Sequence, residues 1–208
     1  MNQYKHINAF IYDCKTCPTR CDGKSKNNYN FEKDLTFSEK YENRLMKWYN
    51  MKTALFCKHS TTAGYPDLVV FDAQDEVKFY IEVKIQARTF MSVKRILPQA
   101  NLEASETIVL NWSDLARYFE IERLTKKKIY IVWGLLQRPC IVPENKLHYY
   151  HQELGVLKNI YEKYQDKRRF RRKSGKGDIV NGVHKGVVVN YHFSLRELKK
   201  GLPEIETP

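Results

Sequence analysis

Three residues far apart in the numbering have side chains suited to acting on one bond. Pro66-Asp67 opens an apolar run, and Glu82-Val83-Lys84 lies within a second one. Two or three carboxylate oxygens with a backbone carbonyl are hard donors of the kind Mg²⁺ takes while keeping several waters for a substrate. A cation held in that way polarises a phosphodiester oxygen and lowers the pKa of a bound water. An ammonium beside it orients that water or stabilises the charge that develops in the transition state. Asp67, Glu82 and Lys84 therefore suffice for metal-assisted hydrolysis of a phosphodiester, provided the fold gathers them. Taken without Asp67, Glu82 and Lys84 read as an ordinary ion pair on a solvated strand face.

Gathering them is a task for the strands. Leu68-Val-Val-Phe71 is a short apolar strand opened by Asp67 and ended by the turn-forming Asp72-Ala-Gln-Asp75. From Val77 to Ile85 a period of two puts Phe79, Ile81, Val83 and Ile85 on a core face. Tyr80, Glu82, Lys84 and Gln86 share the other, non-core face. Pairing these two strands as a hairpin brings both carboxylates to one point. Thr53 to Lys58 reads as a preceding strand, and Ser60 to Gly64 as a loop of small and polar residues. Upstream, Thr36 and Glu39 have capping-box spacing, so a helix is expected from Thr36 to about Tyr49, with Tyr41, Leu45 and Trp48 along one stripe. Downstream, Pro98 interrupts any long helix, and Ser113 reads as the N-cap of a helix reaching about Leu124. Lys128 to Leu136 is a buried strand, residues 150 to 165 a helix, and Val187 to Phe193 a last strand. Ser194 caps a short helix, Leu195 to Lys200.

This pattern resembles the PD-(D/E)XK nuclease superfamily, with Pro66-Asp67 and Glu82-Val83-Lys84 as its motif, over roughly residues 36 to 100. Strand-forming Leu-Val-Val-Phe after Asp67 and Phe-Tyr-Ile before Glu82 supply the context the family's two central strands require. The resemblance implies an α/β fold with a restriction-endonuclease-like core, a central mixed sheet flanked by helices. It also implies Mg²⁺ or Mn²⁺ bound by Asp67, Glu82 and the Val83 carbonyl, with Lys84 assisting the attacking water and DNA as substrate. The family commonly has a glutamate on its first core helix, for which Glu39 and Glu42 compete. Glu39 sits where a capping glutamate is expected. Glu42 shares a face with Leu45, Met46 and Tyr49, and a carboxylate on a partly apolar face should be paired or bind metal, so Glu42 is favoured. Lys58 to Gly64 is similar to the loop before the aspartate in resolvase-like members, which makes Ser60 a candidate for approaching the scissile phosphate; a plain loop is the equal alternative. Gln86 continues the Glu82–Lys84 face toward the site or DNA. Gln99 matches a polar residue on the family's following helix, against which Pro98 stands. Family nucleases that cut both strands are often dimers, so a homodimer lies within the resemblance.

Cys14, Cys17, Cys21 and Cys57 can provide four thiolates for Zn²⁺ or for an iron–sulfur cluster, with His6 or His59 able to replace one. The competing reading leaves them free, with Cys57 packed in the core. Lys167-Arg168-Arg169-Phe170-Arg171-Arg172-Lys173 is a basic run around one ring, able to track phosphates while the ring stacks on a base. Its alternative is a solvated basic loop.

The whole chain agrees with a polyanionic partner. Its 208 residues carry a formal net charge of +12, and hydrophobic residues at 42% exclude wholesale disorder. The longest apolar run, Ile129 to Leu136, is too short for a membrane span, and Met1 to Phe10 lacks the features of a signal peptide; a cytoplasmic protein without a membrane partner is expected. No HExxH spacing, Walker loop or dinucleotide fingerprint is present. The expected organisation is a cysteine-bearing N-terminal arm over 1–35, a nuclease domain over 36–200 with a basic insertion at about 140–186, and a tail over 201–208. Two rival readings remain at this point: a noncatalytic nucleic-acid-binding module with a structural cysteine metal site, and an RNA-directed nuclease using the same residues.

Overall fold

The strand β3 (Val77–Gln86) is the spine of the molecule. On one side it pairs antiparallel with β2 (Leu68–Phe71), as the hairpin reading requires, and β2 pairs antiparallel with β1 (Phe56–His59). On its other side it runs parallel to β5 (Lys128–Leu135). Antiparallel β6 (His148–Glu153) and the two-residue β11 (Lys199–Lys200) complete a six-stranded mixed sheet in the order β1-β2-β3-β5-β6-β11. The computed structural model describes residues 31–86, 89–90, 92–136, 141–142, 146–171, 179–180, 183–184 and 189–203.

Helix α1 (Phe31–Lys52) covers one face of the sheet. Leu45 and Tyr49, four apart and so on one stripe, pack onto Cys57, Leu68, Val70, Phe79, Ile81, Val83 and Val132. Trp48, expected on that stripe, is exposed. The helix begins before Thr36, so the Thr36–Glu39 capping box is not its start.

A parallel neighbour requires a crossover, and the chain makes it through a short helix α2 (Val93–Ile96), β4 (Thr107–Asn111) and helix α3 (Trp112–Thr125). Helix α3 starts one residue before Ser113, its N-cap is Asn111, and Lys126 ends it in the left-handed conformation. With α4 (Leu154–Tyr164), α3 buries the opposite face of the sheet: Leu115, Tyr118, Ile121, Leu154 and Leu157 pack around Ile129, Ile131, Trp133 and Leu135. That core continues into a second sheet, β4-β10-β7, built from β7 (Arg169–Arg171) and β10 (Val189–Ser194). The β8–β9 hairpin (Ile179–Val180, Val183–His184) stands apart.

Three expectations are corrected. The even-numbered face of β3 is not a plain solvated face, because helices on both sides of the sheet cover its middle: Glu82 is 2% exposed and Tyr80, Lys84 and Gln86 are half-buried, while Lys78 is exposed. The stretch expected as a helix over 150–165 begins as β6, which pairs with β5 in the main sheet, and α4 starts only at Leu154. Ser194 does cap, through a capping box with Glu197, but on a single 3₁₀ turn (Leu195–Glu197) that gives way to β11.

Candidate active site

Register explains how the motif assembles. Leu68 lies opposite Ile81 and Val69 opposite Tyr80, so Asp67, one residue earlier, arrives beside Glu82 and Val83. The Val83 N–H donates to Asp67 Oδ2 at 2.8 Å. Ahead of Asp67 the chain turns at Gly64, whose φ of +80° favours glycine. The Ser60 N–H then closes the loop on the Asp67 carbonyl at 2.9 Å.

Glu82 is enclosed by two partners. One carboxylate oxygen meets the Lys84 ammonium, and Oε2 accepts from the Tyr118 hydroxyl at 2.5 Å. Lys84 Nζ also lies 3.5 Å from Asp114 Oδ2. Asp114, Arg117 and Tyr118 stand at i, i+3 and i+4 on α3, one face of the helix turned toward β3. Arg117 joins this face to the loop: its guanidinium donates to Asp114 Oδ1 at 2.9 Å and to the Gly64 carbonyl at 2.7 Å. On the other side of the sheet, Glu42 rides on α1 one turn before Leu45 and Met46. Its Oε2 lies 3.7 Å from His59 Nδ1, and His59 Nε2 is 3.1 Å from Asn43 Oδ1.

Electrostatics binds these groups into one cluster. Burial pushes the Asp67 carboxyl up to about 7; Glu82 and Glu42 add to the rise, while Lys84 and the Val83 N–H oppose it. Burial also raises Glu42, with His59 countering and Glu82 and Glu39 adding. Burial alone would lower Lys84, but Glu82, Asp114 and Asp67 outweigh it and hold the ammonium above its ordinary value. Tyr118 is raised by burial and by Glu82, so it stays a hydroxyl donor.

The donor chemistry fits Mg²⁺ or Mn²⁺. Asp67 and Glu82 bring hard carboxylate oxygens together partly out of water, with Glu42 near enough to act on Asp67, and one ammonium balances them. Among the described residues no trio of His, Cys, Asp or Glu forms a ready-made metal cage. The available set is sparse, two carboxylates and a strand carbonyl, from which Mg²⁺ keeps several waters.

Other candidates fare differently. Glu39 is exposed, whereas Glu42 faces the cluster. Ser60 sits beside Asp67, half-buried. Gln86 is half-buried, and its amide donates to the Val109 carbonyl at 3.0 Å, tying β3 to β4. Gln99 is exposed in the turn after α2 rather than on a helix. Cys57 is sealed under α1, and burial pushes its thiol up to about 12, so the thiolate a metal needs is disfavoured there. Cys14, Cys17 and Cys21 lie outside the described residues, as do Arg172 and Lys173.

Within the basic run, Lys167, Arg169 and Arg171 are exposed, but Arg168 and Phe170 are corrected. Arg168 is 2% exposed. Its Nη1 alone donates to both Glu197 carboxylate oxygens, at 2.7 and 2.8 Å, its Nε donates to the Ala100 carbonyl at 3.2 Å, and the guanidinium stacks 3.6 Å from the Tyr164 ring centre. Phe170 packs against the small core of Val93, Leu97, Ala100, Leu102 and Ala104. A strand alternates its faces, and β7 with the turn before it sends these two side chains inward.

Sequence reasoning missed Asp114, Arg117 and Tyr118, and weighed His59 only as a cysteine substitute. The i, i+3, i+4 spacing on an evident helix was the available signal for the first three.

No protein-family model matches the chain, and no curated protein sequence matches it. Among solved structures, Archaeoglobus fulgidus Hjc, a Holliday junction resolvase from an archaeal hyperthermophile, is similar over 76% of this chain and 84% of its own, at 11% identity and a TM-score of 0.40. A nuclease from a fusselovirus is similar over 84% of this chain and 88% of its own, at 10% identity and a TM-score of 0.42. Likeness at this level is one of layout, and function has to be argued from the side chains.

Proposed function

We propose that this chain is a metal-dependent DNA endonuclease that hydrolyses phosphodiester bonds through a PD-(D/E)XK site in a restriction-endonuclease-like core. The observation that carries the reading is the convergence of Asp67, Glu82, Lys84 and Glu42, from three separate elements, into one electrostatically coupled cluster. The succession of α1, the antiparallel β1-β2-β3 and a parallel β5 supports it, being the core on which that motif is carried.

Asp67, Glu82 and the Val83 carbonyl would hold Mg²⁺ or Mn²⁺, and Glu42 would help directly or through water. When bound, the cation supplies Lewis-acid polarisation and a water of lowered pKa. Lys84, kept protonated by its three carboxylate neighbours, donates hydrogen bonds; it orients the attacking water or meets developing negative charge, and it is no general base. The excess of basic residues, with Lys167, Arg169 and Arg171 exposed, would hold the phosphate backbone.

Supercoiled plasmid incubated with the protein and Mg²⁺ or Mn²⁺ should be nicked. EDTA and Lys84→Ala should each abolish nicking. Wild-type protein that binds plasmid but never nicks it with either metal would return the reading to a noncatalytic binding module. Preferential cleavage of RNA would move the same site to an RNA substrate.

A further inference from the structure

Glu82 faces a conflict. Its two oxygens are already engaged, one by the Lys84 ammonium and the other by the Tyr118 hydroxyl at 2.5 Å, in a place almost closed to solvent. A cation ligated by either oxygen competes with these partners for the same lone pairs, and its charge opposes the neighbouring ammonium. The ammonium then needs another anionic partner, because Asp67 and Glu42 belong to the same cluster and a divalent charge would stand nearby.

Asp114 Oδ2 lies 3.5 Å from Lys84 Nζ, within ion-pair range and slightly too far for a strong hydrogen bond. The rest of that carboxylate is fixed: Oδ1 accepts from Arg117 at 2.9 Å, and Arg117 is itself anchored on the Gly64 carbonyl at 2.7 Å. Its place in the first turn of α3 favours a negative charge. One oxygen is thus clamped and the other presented to the lysine.

We propose that Asp114 is the second seat of the Lys84 ammonium, a positioning residue that receives the lysine when Glu82 turns from ion-pair partner to cation ligand. The inference rests on the metal-dependent reading above. Asp114 touches neither metal nor substrate; it acts through Lys84, keeping the ammonium aimed at the cluster.

The test is a double-mutant cycle on metal affinity, read by Mn²⁺ electron paramagnetic resonance titration of the full chain without DNA. Wild type, Asp114→Asn, Lys84→Met and the double variant are compared. Lys84→Met, which removes the competing ammonium, should tighten Mn²⁺ binding several-fold. Asp114→Asn should weaken it about tenfold, between the effects of breaking an exposed and a buried pair. In the Lys84→Met background the Asp114→Asn effect should shrink to about twofold or less. Equal weakening in both backgrounds would make Asp114 a mere nearby charge and overturn the proposal, as would no weakening at all. A readout without variants guards against misfolding: the Lys84 ammonium ¹⁵N–¹H resonance should stay protected from solvent exchange when the wild type is saturated with Mg²⁺, and its loss counts against Asp114. If the wild type nicks plasmid while the cycle is additive, only the Asp114 proposal falls. If the wild type neither binds Mn²⁺ nor nicks, the nuclease reading falls and takes this one with it.

Discussion

Asp67 illustrates what a buried carboxylate cluster costs the fold. Burial, with the neighbouring Glu82, holds its carboxyl up at about 7, whereas in an unfolded chain an aspartate titrates near ~3.9. Between those values the folded protein keeps a proton that the unfolded chain has released. Stability therefore falls as pH rises through that window, and the loss is complete above it. Asp67→Asn keeps an acceptor for the Val83 N–H and removes the charge. In metal-free protein it should stabilise by roughly 3–4 kcal/mol at pH 8 and by little at pH 4, measured by urea denaturation at the two values. An equal effect at both would contradict the account. That the motif residues meet was legible in the sequence because Asp67 and Glu82 sit on adjacent strands joined by an obvious turn. The enclosure of Glu82 was not, because Tyr118 reaches it only through a crossover that no local pattern reveals.

Elements decide which charges face outward. Lys167 to Arg171 is basic at every position but Phe170, yet the turn into β7 sends Arg168 inward onto Glu197 and Tyr164. Arg168→Ala should cost about 3–5 kcal/mol, the penalty for breaking a buried pair. Arg168→Lys should recover only part of that, since an ammonium can meet Glu197 but has no second nitrogen for the Ala100 carbonyl and no planar group to stack on Tyr164. Lys167→Ala and Arg171→Ala should change stability by less than ~0.5 kcal/mol while weakening DNA binding. Thermal melts set beside DNA-binding titrations separate the two groups, and a reversed pattern would return Arg168 to the surface. The strands were the most readable elements. Leu68–Phe71 and β3 follow from β-branched and aromatic runs with clear turns between them, and β5 from its apolar length. Where helix and strand patterns abut without a breaker, as at Glu153–Leu154, local periodicity merges them, and only pairing of β6 with β5 separates the two. The start of α1 was misplaced for a related reason: a capping-box spacing is short enough to recur inside a helix.

For the molecule as a whole, a net charge of +12 sets how a polyanion is met. Phosphate contacts release counterions, so DNA affinity measured in EDTA should fall at least tenfold between about 50 and 200 mM salt. Fluorescence anisotropy with a labelled duplex checks this, and a flat response would remove the basic surface from the account. Among the described residues no helix is long and apolar enough to cross a membrane. The fold places its cluster at the edge of one hydrophobic core, roofed by α1, and against a second one walled by α3, which keeps water partly out and holds the side chains still. Whether a divalent cation belongs in that place is answered most directly by crystals grown with Mn²⁺ and an anomalous difference map. The account predicts a peak about 2.0–2.2 Å from oxygens of both Asp67 and Glu82, with Lys84 drawn toward Asp114. A well-occupied Mn²⁺ elsewhere, with Glu82 still paired to Lys84, would contradict it.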